Sequence, residues 1–271
     1  MKIAVIGGDA RMLAAAKLFE KNRFECATAA LGNTETNIKD ALCSAAAAVL
    51  PLPCEKGGIL NAPRSDAEIS IGEVFNAGGE NILFIGGGLP KGERFADYSE
   101  NEEYLQKCAN ATAEGAVSIA LNESQETLCG RNALIIGYGR IGKNLARLLQ
   151  AFRTKTTVIA RKGEQRALAE LNGAKAFDFS ALARELKKAD IVFNTAPQIR
   201  FSEKELASVK GNALIIDLAS GGGIADEKDI AERNARYIHA LALPGKCFPS
   251  SAGKYIYETA VAILRERGIL Q

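Results

Sequence analysis

Residues 137–142 read Gly137-Tyr138-Gly139-Arg140-Ile141-Gly142, a G-x-G-x-x-G spacing that follows the apolar run ALII and opens the helix-patterned run GKNLARLL. That context is what phosphate chemistry asks of the motif. Gly137 permits a tight turn, Gly139 lets a pyrophosphate approach the backbone, and Gly142 lets helix and strand pack closely. Free N–H groups at the helix start then hold the phosphate charge. The next strand-like run, Val158-Ile159-Ala160, leads into Arg161 and Lys162 rather than into an acid. An NAD site usually carries Asp or Glu there, on the ribose hydroxyls. Two cations attract a 2′-phosphate that an acid would repel, so the expected cofactor is NADP(H). Thr195, Ala196 and Pro197 follow one later strand-like run, and Leu218 and Ala219 follow the next. Small residues and a proline at these strand ends let a nicotinamide ring lie close, so all five are expected to shape the cofactor pocket.

A second glycine loop, Gly7-Gly8-Asp9-Ala10-Arg11, lacks the third glycine of the fingerprint. It is expected to serve the substrate side, taking an anion at a helix N-terminus beside Arg11. Acid–base chemistry is less well marked. His239 is the sole histidine, so a zinc site built on several histidines is excluded, and six cysteines without a C-x-x-C pair make a thiolate zinc site a poor fit. No metal is expected. The candidates for moving a proton are Lys246, Glu114 and His239, with the last more naturally read as a structural histidine on a strand.

These residues must be positioned by alternating strands and helices. Lys2–Ile6 is a buried strand ended by glycines, and residues 11–20 follow with helical spacing of Leu13, Ala14 and Leu18. Residues 46–50 and 82–85 are further strands, the second running into Gly86-Gly87-Gly88, while Gly- and Pro-rich residues 51–65 form a loop. Residues 112–126 make a long helix, after which a second series starts: strands at 133–136, 157–160, 191–194, 214–218 and 237–240, and helices at 142–152, 182–188, 226–234 and 252–265. Alternation of this kind signals βαβ units and parallel sheets. The expected fold is α/β, with two Rossmann-like doubly wound parallel-sheet domains joined by long helices around an interdomain cleft. Residues 1–111, completed by the C-terminal helix 250–271, would form the substrate side, and residues 112–249 the NADP-binding domain.

Length and charge narrow the class. A chain of 271 residues suits two α/β domains. With 34 basic against 32 acidic residues and a formal net charge of +2, there is no electrostatic case for nucleic acid or anionic lipid as the main partner. The N-terminal apolar run stops at Gly7, unlike a signal peptide, and the longest apolar stretch, around residues 41–52, is too short for a membrane span. A cytoplasmic location with reduced thiols is expected.

Five segments in order, KIAVIGGDAR (2–11), IIGYGRIGKNLARLL (135–149), FNTAP (193–197), IIDLAS (215–220) and LPGKCFPSSAG (243–253), resemble the A-subunit of bacterial dipicolinate synthases over nearly the whole chain. The GGDAR and LPG-x-x-x-P-x-x-AG elements carry the specific part of the resemblance. Thr112-Ala113-Glu114-Gly115 also resembles the start of the interdomain helix of 2-hydroxyacid dehydrogenases. The resemblance implies oxidation of dihydrodipicolinate to dipicolinate, together with a partner, a flavoprotein-like B-subunit. It also implies the mother cell of a sporulating bacterium. The substrate would be a small dicarboxylate dianion. Gly8, Asp9 and Arg11, the N–H groups of Gly86, Gly87 and Gly88, and Pro244, Gly245 and Lys246 are then the substrate-binding candidates, each charged hydrogen bond contributing about 1.5–3 kcal/mol. One departure concerns Gly221-Gly222-Gly223, where the family tends to carry an Arg-Pro pair. If that Arg meets substrate in the family, another cation serves here.

Two other functions remain in view. A 2-hydroxyacid-dehydrogenase-like enzyme would need a catalytic His and a carboxylate-clamping Arg, for which His239 and the Arg-free loop after IIDLAS are poor matches. A nucleotide-binding subunit with no chemistry of its own would explain the missing acid–base pair. The sequence leaves self-association into a homo-oligomer open.

Overall fold

The computed structural model describes residues 1–32, 36–221 and 223–270. Residues 33–35, Gly222 of the triple-glycine loop and the terminal residue 271 lie outside the described residues. In chain order the elements are β1 (Lys2–Ile6), α1 (Ala10–Lys21), β2 (Glu25–Ala29), α2 (Ile38–Leu42), β3 (Ala47–Val49), β4 (Glu55–Lys56), β5 (Ile59–Leu60), α3 (Ile71–Ala77), β6 (Leu83–Gly86), β7 (Phe95–Asp97) and α4 (Glu102–Glu123). There follow β8 (Asn132–Ile136), α5 (Arg140–Ala151), β9 (Lys155–Ile159), α6 (Gly163–Leu171), β10 (Lys175–Phe177), α7 (Leu182–Leu186), β11 (Ile191–Asn194), α8 (Glu203–Leu206), β12 (Leu214–Asp217), α9 (Glu227–Ala231), β13 (Arg236–His239), α10 (Leu243–Cys247) and α11 (Pro249–Glu266). Two compact units result, one of residues 1–108 with 244–271 and one of residues 109–243. No helix among the described residues is long and apolar enough to cross a membrane.

In the first unit the strands pair in parallel in the order β2-β1-β3-β6-β7. This is the doubly wound order in which the chain reverses direction between β1 and β3, so a ligand crevice is expected outside their carboxyl ends. Ile3, Val5, Val49 and Ile85 face α1 and α11 on one side, while Ala4, Ile6, Leu50 and Phe84 face α2 and α3 on the other. Burial on both faces explains why these strands read as unbroken apolar runs. The α1–α11 contact is close because Gly253 carries no side chain: a Cβ there would lie 2.5 Å from both the Arg11 carbonyl oxygen and the Ala14 Cβ.

The second unit has six parallel strands in the order β10-β9-β8-β11-β12-β13. Numbered within the unit this is 3-2-1-4-5-6, the dinucleotide-binding order whose switch point lies between β8 and β11. Gly142, Leu145, Ala146 and Leu149 form the buried stripe of α5, at the i, i+3, i+4, i+7 spacing of an amphipathic helix. Leu145, Ala146 and Leu149 pack with Ala113, Ala116 and Ala120 of α4 against Ala133, Ile135 and Val158. The opposite face of the sheet is covered by α7, α9 and the apolar residues of 201–225.

Two expectations need correction. The long helix begins at Glu102 rather than at residue 112, because Asn101 caps it, its Oδ1 accepting the Tyr104 N–H at 2.8 Å, and Glu102 and Glu103 favour the positive helix end. The segment 51–65 is not all loop. Gly57 and Gly58, at φ of +61° and +82°, turn the short antiparallel β4–β5 hairpin, which demands positive φ at both central positions.

Candidate functional site

The glycine loop at 137–142 sits at the switch point of the second unit. The Gly137 N–H donates to the Ile159 carbonyl at 2.8 Å, and its φ of +96° belongs to the left-handed region that favours glycine. A Cβ on Gly137 would lie 2.6 Å from Thr195 Oγ1, and one on Gly142 would lie 2.4 Å from the Gly137 carbonyl oxygen. Gly139 differs from both. A Cβ there would meet nothing within 4 Å, so the loop leaves open space above it. Gly139 is also the N-cap of α5 and, having no side chain, offers no side-chain cap to the start of this helix. A helix start without a side-chain cap, open space above Gly139 and the helix dipole together fit a bound phosphate. Arg140 and Ile141 lie on the first turn of α5. The Tyr138 side chain points into the core, buried, and accepts a hydrogen bond from Asn172 Nδ2 at 3.2 Å, leaving only its backbone in the loop.

At the end of β9, Ala160 is buried while Arg161 and Lys162 are exposed. Lys162 pairs with Glu164 at 3.5 Å, an exposed contact of small energetic weight. Arg166, which sequence reasoning missed, braces this turn: its Nη1 donates to the Ala160 carbonyl at 3.0 Å and the Arg161 carbonyl at 2.7 Å. Three cations therefore cluster where the adenine ribose of a dinucleotide would lie.

The strand ends of β11 and β12 are tied by one buried carboxylate. Asp217 Oδ1 accepts from Asn194 Nδ2 at 2.9 Å and from the Ala219 N–H at 3.0 Å. Its Oδ2 accepts from the Ile224 N–H at 2.6 Å and from the Tyr237 hydroxyl at 3.0 Å. Asn194 Oδ1 in turn takes the Ala196 N–H at 3.1 Å, and Thr195 bonds the Ile136 carbonyl through both its N–H (2.8 Å) and its Oγ1 (3.0 Å). Thr195 and Ala196, with Leu218 and Ala219, are thus held at the carboxyl edge of the sheet beside the glycine loop, and Pro197 continues the same turn. Burial together with the Asp217 carboxylate pushes the Tyr237 hydroxyl well above its ordinary pKa, so it remains a donor.

The N-terminal loop is built differently. Asp9 caps α1, its Oδ1 accepting the Arg11 N–H at 2.9 Å, so this helix N-terminus already holds a carboxylate. Arg11 Nε donates to both Asp9 oxygens, at 2.9 and 3.1 Å, and Nη2 reaches the Leu52 carbonyl at 3.3 Å. Burial pushes the Asp9 carboxyl up, but the hydrogen bonds and charge of Arg11 outweigh it and leave the pKa below the ordinary value. Gly245 lies against this guanidinium, since a Cβ there would be 2.9 Å from Nε. Asp9, Arg11, Pro244 and Gly245 are therefore brought together within the first unit, whereas Lys246 is exposed on α10.

The remaining anion donors expected from the sequence are occupied. The Gly8 N–H donates to the Asn61 carbonyl at 2.9 Å and the Gly87 N–H to the Pro51 carbonyl at 3.1 Å. The Gly88 N–H donates to Asp97 Oδ2 at 2.7 Å, and Gly86 belongs to β6. The expectation that Gly86, Gly87 and Gly88 offer free N–H groups is thus corrected: β7 places the Asp97 carboxylate on that turn. Among the acid–base candidates, Glu114 is exposed and accepts from Asn110 Nδ2 at 2.6 Å. His239 stands exposed at the end of β13, its Nε2 3.3 Å from the Ala219 carbonyl oxygen. Among the described residues no group of three His, Cys, Asp or Glu side chains could hold a metal ion.

Residues 104–243 match the family model described as the NAD-binding domain of D-isomer specific 2-hydroxyacid dehydrogenases. Residues 2–102 match the N-terminal domain of the dipicolinate synthase A-subunit. The dipicolinate synthase A-subunit of Bacillus subtilis is 24% identical over 286 residues, covering 98% of this chain and 96% of the relative. The solved A-subunit from Bacillus halodurans superposes with a TM-score of 0.86 at 23% identity, covering 97% of both chains. A D-lactate dehydrogenase from Lactobacillus jensenii, solved with NAD+, gives a TM-score of 0.60 at 16% identity over 97% of this chain and 95% of that one.

Proposed function

We propose that this chain, which belongs to the D-isomer specific 2-hydroxyacid dehydrogenase NAD-binding family, is an NADP-dependent oxidoreductase that forms dipicolinate from dihydrodipicolinate, serving as the A-subunit of a two-component synthase. It is an oxidoreductase-like protein with a nicotinamide-dinucleotide domain, and its match to the dipicolinate synthase A-subunit spans almost its whole length. The observation that carries the nucleotide part is the uncapped start of α5 with open space over Gly139, followed across the sheet by Arg161, Lys162 and Arg166. In this reading Gly137, Gly139, Arg140, Ile141 and Gly142 hold the pyrophosphate, and Arg161 with Lys162 holds the 2′-phosphate. Thr195, Ala196, Pro197, Leu218 and Ala219 line the nicotinamide side, held by Asp217.

When bound, the nucleotide supplies hydride acceptance, and a dihydropyridine ring that gives up a hydride and a proton becomes aromatic. Because aromatisation is downhill, the demand on the protein is mainly orientation. Arg11, half-buried against Asp9 and Gly245 at the switch point of the first unit, is the residue we assign to a substrate carboxylate, with Pro244, Gly245 and Lys246 beside it. A flavoprotein-like B-subunit is the proposed partner, in the mother-cell cytoplasm of a sporulating bacterium.

Replacing Arg161→Ala tests the 2′-phosphate assignment. The variant is expected to lose about 10- to 100-fold in NADPH affinity, the worth of one or two charged hydrogen bonds. NADH affinity should change little. Equal losses for the two nucleotides would contradict the role. A second reading, a nucleotide-binding subunit without chemistry of its own, draws on the exposure of Lys246, Glu114 and His239. Turnover by the purified chain alone would rule it out.

A further inference from the structure

The second unit carries a cavity of about 530 Å³ at the amino ends of its strands, on the edge of the sheet opposite the glycine loop. Its origin is topological. The crossover from β10 to β11 has to pass over β9 and β8, and it does so with only a single 3-10 turn, Phe179–Ala181, and the five residues of α7. Leu182 and Leu186 cover the carboxyl half of that face, packing with Leu134, Ile136 and Ile159. The amino half stays open, with Leu134, Thr157 and Phe177 lining it.

Register then places cations on this open face. Lys175 pairs with Thr157 across the β9–β10 ladder, and Thr157 pairs with Leu134. Lys155, two residues before Thr157, shares its face. A strand rise of about 3.3 Å and a spacing of about 4.8 Å put the Lys155 and Lys175 Cα atoms about 8 Å apart. Both are exposed, and neither holds an ion pair among the described residues. Arg184 and Lys188 close the third side. Their acid is Glu185, buried beside them, which accepts from Arg184 Nε at 2.7 Å and from Lys188 Nζ at 2.9 and 3.1 Å. Asp190, next in sequence to the lining residue Ala189, takes the Asn132 N–H at 2.8 Å and is paired with Lys210 and Arg131. Arg184 also stacks on Phe177, its guanidinium 4.7 Å from the ring centre.

Lys155 stands opposite Asn132 and Lys175 opposite Thr157, so the two cations are diagonal neighbours on one face, within reach of a single anion. Edge protection accounts for a lysine on β10, the edge strand, but not for one on the face of interior β9. Four cations less one acid leave the lining at +3. The volume is that of a small-molecule site. We infer that this groove binds a small ligand through a polyphosphate group, with Lys155 and Lys175 as the principal contacts and Arg184 and Lys188 closing over it. The sources that share this chemistry are nucleoside triphosphates and inorganic polyphosphate. The site lies on the far edge from Gly139 and does not rest on the dinucleotide assignment.

The test is a fluorescence titration of the full chain with N-methylanthraniloyl-ATP, repeated on Lys155→Ala/Lys175→Ala and on Gly139→Val. Saturable binding is expected, at least tenfold weaker in the lysine double variant and within about twofold of the parent in Gly139→Val. NADPH affinity and melting temperature of the double variant should stay at parental values, showing an intact unit. Displacement by inorganic triphosphate would assign recognition to the phosphates alone, whereas displacement by ATP but not triphosphate would assign it to a nucleoside triphosphate. The proposal fails if binding is absent, if the double variant binds equally well, if Gly139→Val abolishes binding, or if adenosine competes as well as ATP. Saturable binding of polyglutamate without binding of ATP would also overturn it, and would give the groove to an acidic protein segment.

Discussion

Gly139 and Gly142 stand three residues apart in one loop and serve different ends. Gly142 is demanded by the protein itself, because its Cβ would collide with the Gly137 carbonyl oxygen. Gly142→Ala is therefore expected to lower stability by about 1–3 kcal/mol through overpacking, visible as a drop of several degrees in a thermal melt. Gly139 is demanded by nothing in the protein, since its Cβ would meet open space. Gly139→Val should keep the parental melt and lose nucleotide binding. A Gly139→Val chain that binds NADPH normally would remove this loop as the phosphate site. The motif was legible in the sequence because its three glycines act within six residues. The Asp97 carboxylate on the Gly88 N–H was not legible, because it depends on pairing β6 with a three-residue strand that has no apolar run. Arg166 escaped for a similar reason: it acts from a helix, back onto carbonyls of the preceding turn.

Among elements, the ends of β11, β12 and β13 are joined through Asp217, which is fully buried and accepts four hydrogen bonds. No cation neutralises it within hydrogen-bond reach among the described residues, so its charge is held by neutral donors alone. Asp217→Ala would leave the Ala219 and Ile224 N–H groups, the Tyr237 hydroxyl and Asn194 Nδ2 without their acceptor. At about 1–3 kcal/mol for each group left buried, the loss should be about 2–6 kcal/mol even if water satisfies half of them. Urea denaturation of the variant measures this, and a midpoint equal to the parent would contradict the account. The strands themselves were readable, since LII of β12 and IVF of β11 are apolar throughout. Short β2, with its mixed run ECATA, and three-residue β7 and β10 were not, because their burial comes from neighbours rather than from their own pattern. That same gap hid Lys155 and Lys175, whose shared face exists only once β10 is paired with β9.

At the scale of the molecule, two parallel sheets follow the two doubly wound orders, 2-1-3-4-5 and 3-2-1-4-5-6. Each has a glycine loop after its first strand, yet the loops have parted in chemistry. In the second unit the helix start is left open for a ligand's phosphate, while in the first it is filled by Asp9 and backed by Arg11. Alternation of strand and helix revealed both sheets in the sequence, and the missing third glycine marked the first loop as different. What sequence could not give was the filling of that loop, because Asp9 reads equally well as a ligand-binding acid or as a helix cap. The measurement that bears most directly on the whole is titration of the purified chain with NADPH and with NADH, each with and without dipicolinate. NADPH should bind more tightly than NADH, and dipicolinate should strengthen it, with NADPH strengthening dipicolinate by the same factor. Absence of saturable binding for both nucleotides would contradict the central claim.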